Sequence, residues 1–459
     1  MPLKKAVGKF MLLENQLDKF GVILMEDEPQ EVESGRTISR LRREVRRLRN
    51  TASFRIGLHL TNTVRNPLLL IILPITFPLY CIYLGLERLG KFARPKHYQD
   101  GEIEVFEPKE CVVLFPTNGV GFGHFTRLFA IAKQMRKKNP DLEIIFFTPM
   151  PTLHIPYSEN FPTYHLSGRY KHLDMDSQTW NMLVEEMLTL VFEVHKPKWF
   201  VFDGAYPYRG MLNAIENKLT TKKIWVRRGT FKKGSSVPVD SFDFFNQIIH
   251  PKESEENQDF DKPHSIETKM VSPISIIDEK TMLSRENVRN RFGIPLNSRV
   301  FYVQLGAGKI NQIDSEIRTV VDAILEDDDA YVVLGESLLG ERISLNLERL
   351  RIIRDYPNSI YFNGFDYSVQ AGGYNSFHEM RIMQIPTLFL PNLETGMDDQ
   401  LARCMVAEIE GWGVVERKRT KVAIKKALEK LNSVRKISIE FSNGATEVAE
   451  LILGDDDER

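Results

Sequence analysis

Cysteine is scarce in this chain. Cys81, Cys111 and Cys404 are the three in 459 residues, and their wide separation gives neither a CxxC pair nor a disulfide framework. That excludes a disulfide-held secreted scaffold and points to a reducing compartment. Net charge is nearly absent as well, with 61 basic and 62 acidic side chains, so nothing global is offered to nucleic acid. The opening MPLKKAVGKFMLLENQL carries lysines, but its apolar run is too short for a secretory signal and no small-residue cleavage site follows. A Walker loop is missing, because GAGKIN (306–311) lacks the spacing to a GK[ST] ending. GVGFGH (119–124) has no acidic ribose partner at the distance a dinucleotide fingerprint requires. No DxD pair of the metal-dependent transferase type stands out, and the DDD at 327–329 reads as a surface turn.

What is present divides into regions, since the chain is too long for one core. The expected division is a helical, membrane-associating segment at 1–100, a Rossmann-like domain at 101–275, a second at 276–432, and a closing helix with an acidic tail at 433–459. The first region runs from an acidic stretch, MEDEPQEVE (25–33), into an arginine-dense one, RTISRLRREVRRLRN (36–50). There Leu41, Val45 and Leu48 form one apolar stripe on an otherwise basic helix, suited to self-association or to an anionic lipid surface. From Pro67 to Leu86 twenty residues carry no charge, the length of a membrane span, yet Pro74 and Pro78 interrupt it and basic residues flank both ends. A single span would leave one basic flank outside, so the pattern favours a helix that returns at the prolines or lies in the interface. A buried core or oligomer helix is the plainer alternative.

Beyond residue 108 short β-rich runs alternate with amphipathic helices, which implies parallel sheets covered by helices. The runs are CVVLFP (111–116), EIIFFTP (143–149), WFVFDG (199–204) and KIWVRRG (223–229), then RVFYVQLGAG (299–308), AYVVLGE (330–336), SIYFNGF (359–365), YSVQAGG (367–373) and TLFLPN (387–392). A polar stretch at 250–269 interrupts the rhythm, the stretch from about 270 to 297 connects the halves, and VAIKKALEKLNSVRKISIEFSNGATEVAELIL closes the chain as a long helical tail. Two doubly wound sheets joined in this way make a cleft at their strand C-terminal ends.

Three glycine turns mark that cleft. Gly121 and Gly123 follow the first strand, Gly306 and Gly308 open the second half, and Gly372 and Gly373 precede Asn375 and Ser376 at the start of a helix. Unpaired first-turn N–H groups at such a turn can hold a diphosphate. Glu379 lies one turn into that helix, where a carboxylate can accept two hydrogen bonds from a ribose diol. Asp398, Asp399 and Gln400 cluster after the next strand, in a form suited to a polyhydroxylated ring. His124 is a candidate general base, Asp203 competes for that role, and Arg227 and Arg228 are possible contacts to donor phosphate or a lipid diphosphate.

The run FNGFDYSVQAGGYNSFHEMRIMQIPTLFLPNLETGMDDQLARC resembles the donor-binding domain of GT-B glycosyltransferases. It is similar above all to the family of the N-acetylglucosaminyltransferase of peptidoglycan lipid synthesis. The family pattern falls on Gly372, Gly373, Asn375, Ser376, Glu379, Pro386, Asp399, Gln400 and Ala402. The resemblance implies that Glu379 holds the ribose of a nucleotide sugar, expected to be a UDP-sugar, and that Asp399 and Gln400 hold the donor sugar. It also implies inversion and the GT-B fold. Residues 1–100 have no counterpart in the peptidoglycan enzyme, and Tyr374 and Asn375 replace the more usual small residues. The expected function is transfer of a sugar, without a metal or a tightly bound cofactor, to a lipid-linked or cell-surface glycan precursor at the inner face of the cell membrane. A sugar-nucleotide epimerase and a catalytically silent scaffold are the alternatives.

Overall fold

The computed structural model describes residues 41, 44–45, 47–65, 67–92, 106–117, 121–169, 175–229, 240–253, 266–306, 313–338, 342–395, 398–434 and 442–454. The acidic stretch 25–33, most of the arginine-dense stretch 36–50, and Gly308 lie outside these residues. The chain falls into two compact units, Met1–Glu102 and Ile103–Arg459.

In the first unit α1 (Ala52–Val64) and α2 (Pro67–Arg88) form a hairpin. Thr51 caps α1 through its hydroxyl, which accepts from the Phe54 amide. The helices are joined by Arg55, which donates to both carboxylate oxygens of Glu87 at 2.7 and 2.9 Å, and by His59 stacked on Tyr80 at 4.7 Å. Helix α2 continues through Pro74 and Pro78, so the expected return at the prolines does not occur. Each proline removes one N–H donor, and the other bonds of the 22-residue helix hold it together. Its segment Leu69–Arg88 is long and apolar enough to cross a membrane, and Ile71, Ile75, Leu79 and Ile82 make an exposed stripe at helical spacing. Leu41, Val45 and Leu48 are exposed too.

The second unit holds two parallel sheets. Strands β1 (Lys109–Pro116), β2 (Glu143–Thr148), β3 (Thr163–His165), β4 (Pro197–Asp203), β5 (Lys222–Val226), β6 (Gln247–Pro251) and β7 (Glu267–Val271) are ordered β3-β2-β1-β4-β5-β6-β7. Around them lie α3 (Gly123–Lys138), α4 (His154–Ser158), α5 (Ser177–His195) and α6 (Arg209–Ile215). The second half begins with α7 (Arg285–Phe292), capped by Ser284 and ended by Gly293. Its strands β8 (Arg299–Gln304), β9 (Ala330–Gly335), β10 (Leu350–Ile353), β11 (Tyr367–Gln370), β12 (Thr387–Phe389) and β13 (Gly413–Val415) are ordered β10-β9-β8-β11-β12-β13. Helices α8 (Ile313–Ile324), α9 (Tyr374–Ile382), α10 (Gln400–Ile409) and α11 (Lys421–Leu431) belong to this half.

Both sheets reverse direction once, between β1 and β4 and between β8 and β11. Loops leaving the C-terminal ends of such neighbouring strands diverge to opposite faces and open a crevice. The apolar runs are continuous because both faces are covered. In β1, Val112 and Leu114 enter one core, while Cys111, Val113 and Phe115 enter the other. Leu128, Ile131, Ala132 and Met135 of α3 are all fully buried, the face that its sequence spacing predicts.

Several expectations need correction. Residues 360–362 belong to a 3-10 helix, Asn358–Gly364, in which Tyr361 and Phe362 still reach the core. A short apolar run fills either conformation, and periodicity does not separate them. The polar stretch 250–269 does not interrupt the sheet, since its ends lie in β6 and β7. Strand β7 is at the edge and exposes four of its five residues, so it lacks a buried signature. The tail is not one helix, because α12 (Gly444–Leu453) starts afresh behind its own cap, Asn443. Ala445, Val448, Ala449 and Ile452 of α12 complete the core around α3, in the first half.

This docking depends on a glycine. A Cβ at Gly444 would stand 1.9 Å from the carbonyl oxygen of Ser272, a backbone atom unable to yield cheaply. Gly444→Val is therefore expected to destabilise the second unit by about 3 kcal/mol, read as a lower denaturant midpoint, and an unchanged midpoint would show that α12 contributes little.

Candidate active site

The crevices of the two halves meet in a cleft of about 470 Å³ lined by residues of both. From the first half come Gly121, Gly123, His124, Arg127 and Arg228, and from the second come Gly306, Gly373, Asn375, Ser376, Glu379, Asp398 and Gln400. Most of the candidates found in sequence therefore share one cavity. Arg227 does not join them: its guanidinium lies over the rings of Trp225 and Phe242, and burial depresses its pKa to about 10. Asp399 is not in the lining either. Its carboxylate caps α10 by accepting from the Ala402 amide at 3.0 Å, while the Gln400 side-chain oxygen accepts from the Asn392 amide at 3.0 Å.

On the first half, β1 and β4 are neighbours, and that adjacency places the start of α3 beside the end of β4. His124 Nδ1 lies 2.6 Å from Asp203 Oδ1. Nδ1 also lies 2.8 Å from the donor Arg127 Nη2, but the shorter contact is the one to the carboxylate, at which a bare Nδ1 would aim a lone pair, so the proton is assigned to Nδ1 and Nε2 is the basic nitrogen. Arg127, one turn along the same helix, donates to both oxygens of Asp203 at 2.8 and 2.6 Å. Asp203 is buried, which would raise its pKa, yet Arg127 and His124 hold it below the usual carboxylate range. It is thus fixed as an anion that orients the imidazole. The pKa of His124 is lowered chiefly by burial, with Arg127 and Arg228 adding to this against the opposing field of Asp203. A neutral imidazole held by one nitrogen is the form a proton acceptor requires.

On the second half, β11 leads through Ala371, Gly372 and Gly373 into α9. Gly372 has φ of 83°, and a Cβ there would meet Cys404 Sγ at 2.2 Å, so both torsion and space demand glycine. Neither α3 nor α9 has a capping side chain or an acidic residue in its first turn. Two helix N-termini thus enter one cleft with their capping positions open, which favours an anion. They touch directly, since Asn375 Nδ2 donates to the Gly123 carbonyl at 3.3 Å. Glu379 stands on the cleft wall, and loss of water around it pushes its pKa up to about 8.

At the cleft wall lies a charge network of which sequence reading found Arg228 and Asp398 but missed Glu253 and Arg403. Arg403, fully buried, donates to both oxygens of Glu253 at 2.9 and 3.0 Å and to Asp398 at 2.8 Å. Arg228 donates to Asp398 at 2.9 Å. Burial would raise the pKa of Asp398, but Arg228 and Arg403 hold it well below the usual range. The ring of Tyr374 sits among the guanidiniums of Arg127, Arg228 and Arg403, at 5.2, 5.5 and 5.8 Å. Arg127 was legible in HFTR, one helical turn from His124. Glu253 and Arg403 are 150 residues apart and gave no local signal.

No family model matches the chain. It is similar to the UDP-N-acetylglucosamine–N-acetylmuramyl-(pentapeptide) pyrophosphoryl-undecaprenol N-acetylglucosamine transferase of Clostridioides difficile (strain 630). The two are 22% identical over 354 residues, 72% of this chain and 84% of that protein. Among solved structures, the glycotransferase of kitacinnamycin superposes with a TM-score of 0.52 at 13% identity, covering 75% of this chain and 98% of that one. CalG4, the calicheamicin glycosyltransferase, does so with a TM-score of 0.52 at 14% identity over 75% and 97%. The second unit has the GT-B fold.

The raised Glu379 pKa has a consequence for stability. Its folded value, about 8, exceeds its ordinary value of 4.5, so its favourable contribution is complete below pH 4.5 and is lost as pH rises to 8. Glu379→Gln should match the parent at pH 4 and exceed it in thermal midpoint at pH 8.5; equal midpoints at both would mean that the carboxylate is well solvated.

Proposed function

We propose that this chain is a glycosyltransferase that moves a sugar from a nucleotide donor, a UDP-sugar, to a hydroxyl of a lipid-linked or cell-surface glycan precursor at a membrane surface. The observation that carries the reading is the meeting, across one cleft, of a His–Asp pair from one half with an uncapped glycine-entered helix and Glu379 from the other. The similarity to the Clostridioides difficile enzyme supports the choice of UDP and of a lipid-linked acceptor.

In this reading the donor diphosphate rests against the first turns of α3 and α9, whose N–H groups stabilise the charge that grows as it leaves. Glu379 accepts hydrogen bonds from the ribose diol. Gln400 contacts the donor sugar, as the resemblance implies, with Asp398 lining the cleft beside it and Asp399 holding the helix start. The acceptor oxygen bonds to the anomeric carbon as the bond from that carbon to the diphosphate oxygen breaks. The acceptor proton passes to His124 Nε2, and Asp203 stabilises the resulting imidazolium. Bonding at the face opposite the leaving group inverts the anomeric centre. These residues supply the diphosphate contacts themselves.

The test is a calorimetric panel of UDP, GDP, CDP and their sugars, followed by turnover with lipid-linked acceptors. His124→Ala should bind the donor normally and lose about 10²- to 10⁴-fold in turnover; near-normal turnover would remove His124 as the base. Donor consumed without release of nucleoside diphosphate would favour an epimerase, and absence of any nucleotide binding would favour a scaffold.

Membrane attachment is assigned to the α1–α2 hairpin, on the strength of the exposed stripe of α2 and its basic flanks. Placing glutamate at Ile71, Ile75 and Leu79 together should move the protein from the floating to the soluble fraction with vesicles containing anionic lipid. Continued flotation would exclude α2 as the anchor.

A further inference from the structure

At the end of the first sheet remote from the cleft, three side chains converge that the transfer chemistry does not use. Cys111, near the start of β1, and Glu143, the first residue of β2, are register partners across two neighbouring parallel strands, so their side chains emerge on one face. His195 is the last residue of α5, which packs on that face. Its Nδ1 lies 2.9 Å from Glu143 Oε1. One ligand atom from each of the three, a sulfur, a nitrogen and an oxygen, all lie within 4.8 Å of one another.

We propose that Cys111, Glu143 and His195 form a binding site for a structural divalent transition-metal ion of the zinc class. A metal–sulfur bond of about 2.3 Å and metal–nitrogen and metal–oxygen bonds of about 2.0–2.2 Å fit inside a triangle of this size after small side-chain movements. The donor set, one thiolate, one imidazole and one carboxylate, suits zinc better than magnesium or calcium, which take oxygen ligands. A second, independent feature is the hydroxyl of Tyr164, 2.8 Å from His195 Nε2. When Nδ1 binds a metal, the imidazole proton resides on Nε2 and needs an acceptor there, and the Tyr164 oxygen is that acceptor. Cys111 is fully buried, whereas the Glu143 side chain is about two-fifths exposed and provides the entry path and an open fourth position for water. Coordination forms the metal–sulfur bond as the Cys111 S–H proton is released to solvent. The His195 proton is relocated from Nδ1 to Nε2, so one proton leaves for each ion bound. The ion would tie β1, β2 and the C-terminus of α5 together and take no part in the cleft.

The experiment uses the full chain stripped with a chelator and titrated with Co²⁺, then with Zn²⁺. Expected are a near-ultraviolet thiolate-to-cobalt charge-transfer band saturating at one equivalent, its displacement by Zn²⁺, and a raised thermal midpoint with either ion. Cys111→Ser should abolish the band, and Tyr164→Phe should keep it with affinity lowered about 10- to 100-fold. Should Cys111→Ser fail to fold, Glu143→Gln at the exposed corner serves in its place, with affinity lost and the metal-free midpoint retained. No band, or a band that survives Cys111→Ser and so arises from Cys81 or Cys404, overturns the proposal and leaves the triad as a hydrogen-bonded strut.

Discussion

The second unit depends on one buried arginine. Arg403 has no contact with solvent, and a guanidinium taken out of water is tolerated only when its charge and its donors are both matched. Glu253 and Asp398 match the charge, and the Gly372 carbonyl takes a further bond at 3.1 Å. These partners come from just after β6, from the approach to α10 and from the turn before α9, so satisfying one cation fixes three segments drawn from both halves. Because α9 carries Glu379 and Asn375, the same requirement sets where that helix stands relative to His124.

Around that anchor, groups with shifted acidity divide into two kinds. Asp203, buried against His124, and Asp398, in the cleft lining, are paired with arginines and held ionised, which makes them structural anions. Glu379 has lost water without receiving a cation in exchange, and its carboxyl is driven toward the neutral form. A ligand offering hydroxyl donors would supply what the protein withholds. That asymmetry separates Glu379 from the framework carboxylates more clearly than position alone.

Much of this was readable before any coordinates. The continuous apolar strands, the basic-ended helix after β1 and the glycine turns at 121–123 and 371–373 led to both topological switch points, because those features arise from neighbours in sequence. Reading failed where the cause was remote. Tyr361 and Phe362 are apolar because of what they pack on, and that requirement does not distinguish a strand from a 3-10 turn. Asp399 and Asp398 look interchangeable in the sequence, and only the arginines brought from Arg228 and Arg403 make one an ion-pair member while the other caps a helix. Helix α12 reads as part of an appended tail, since nothing near residue 444 indicates that its partner surface is α3.

That last helix has a mechanical corollary. The polypeptide passes from the first half to the second between Val271 and Arg285, and returns between Leu431 and Gly444. The two passages are laced together: the Gly444 amide donates to the Pro273 carbonyl at 3.0 Å, and Asn443 exchanges hydrogen bonds with the Ser275 backbone at 3.2 and 2.9 Å. Two crossings bonded side by side leave the halves fewer ways to turn against each other than a single tether would, so this joint guides their relative placement.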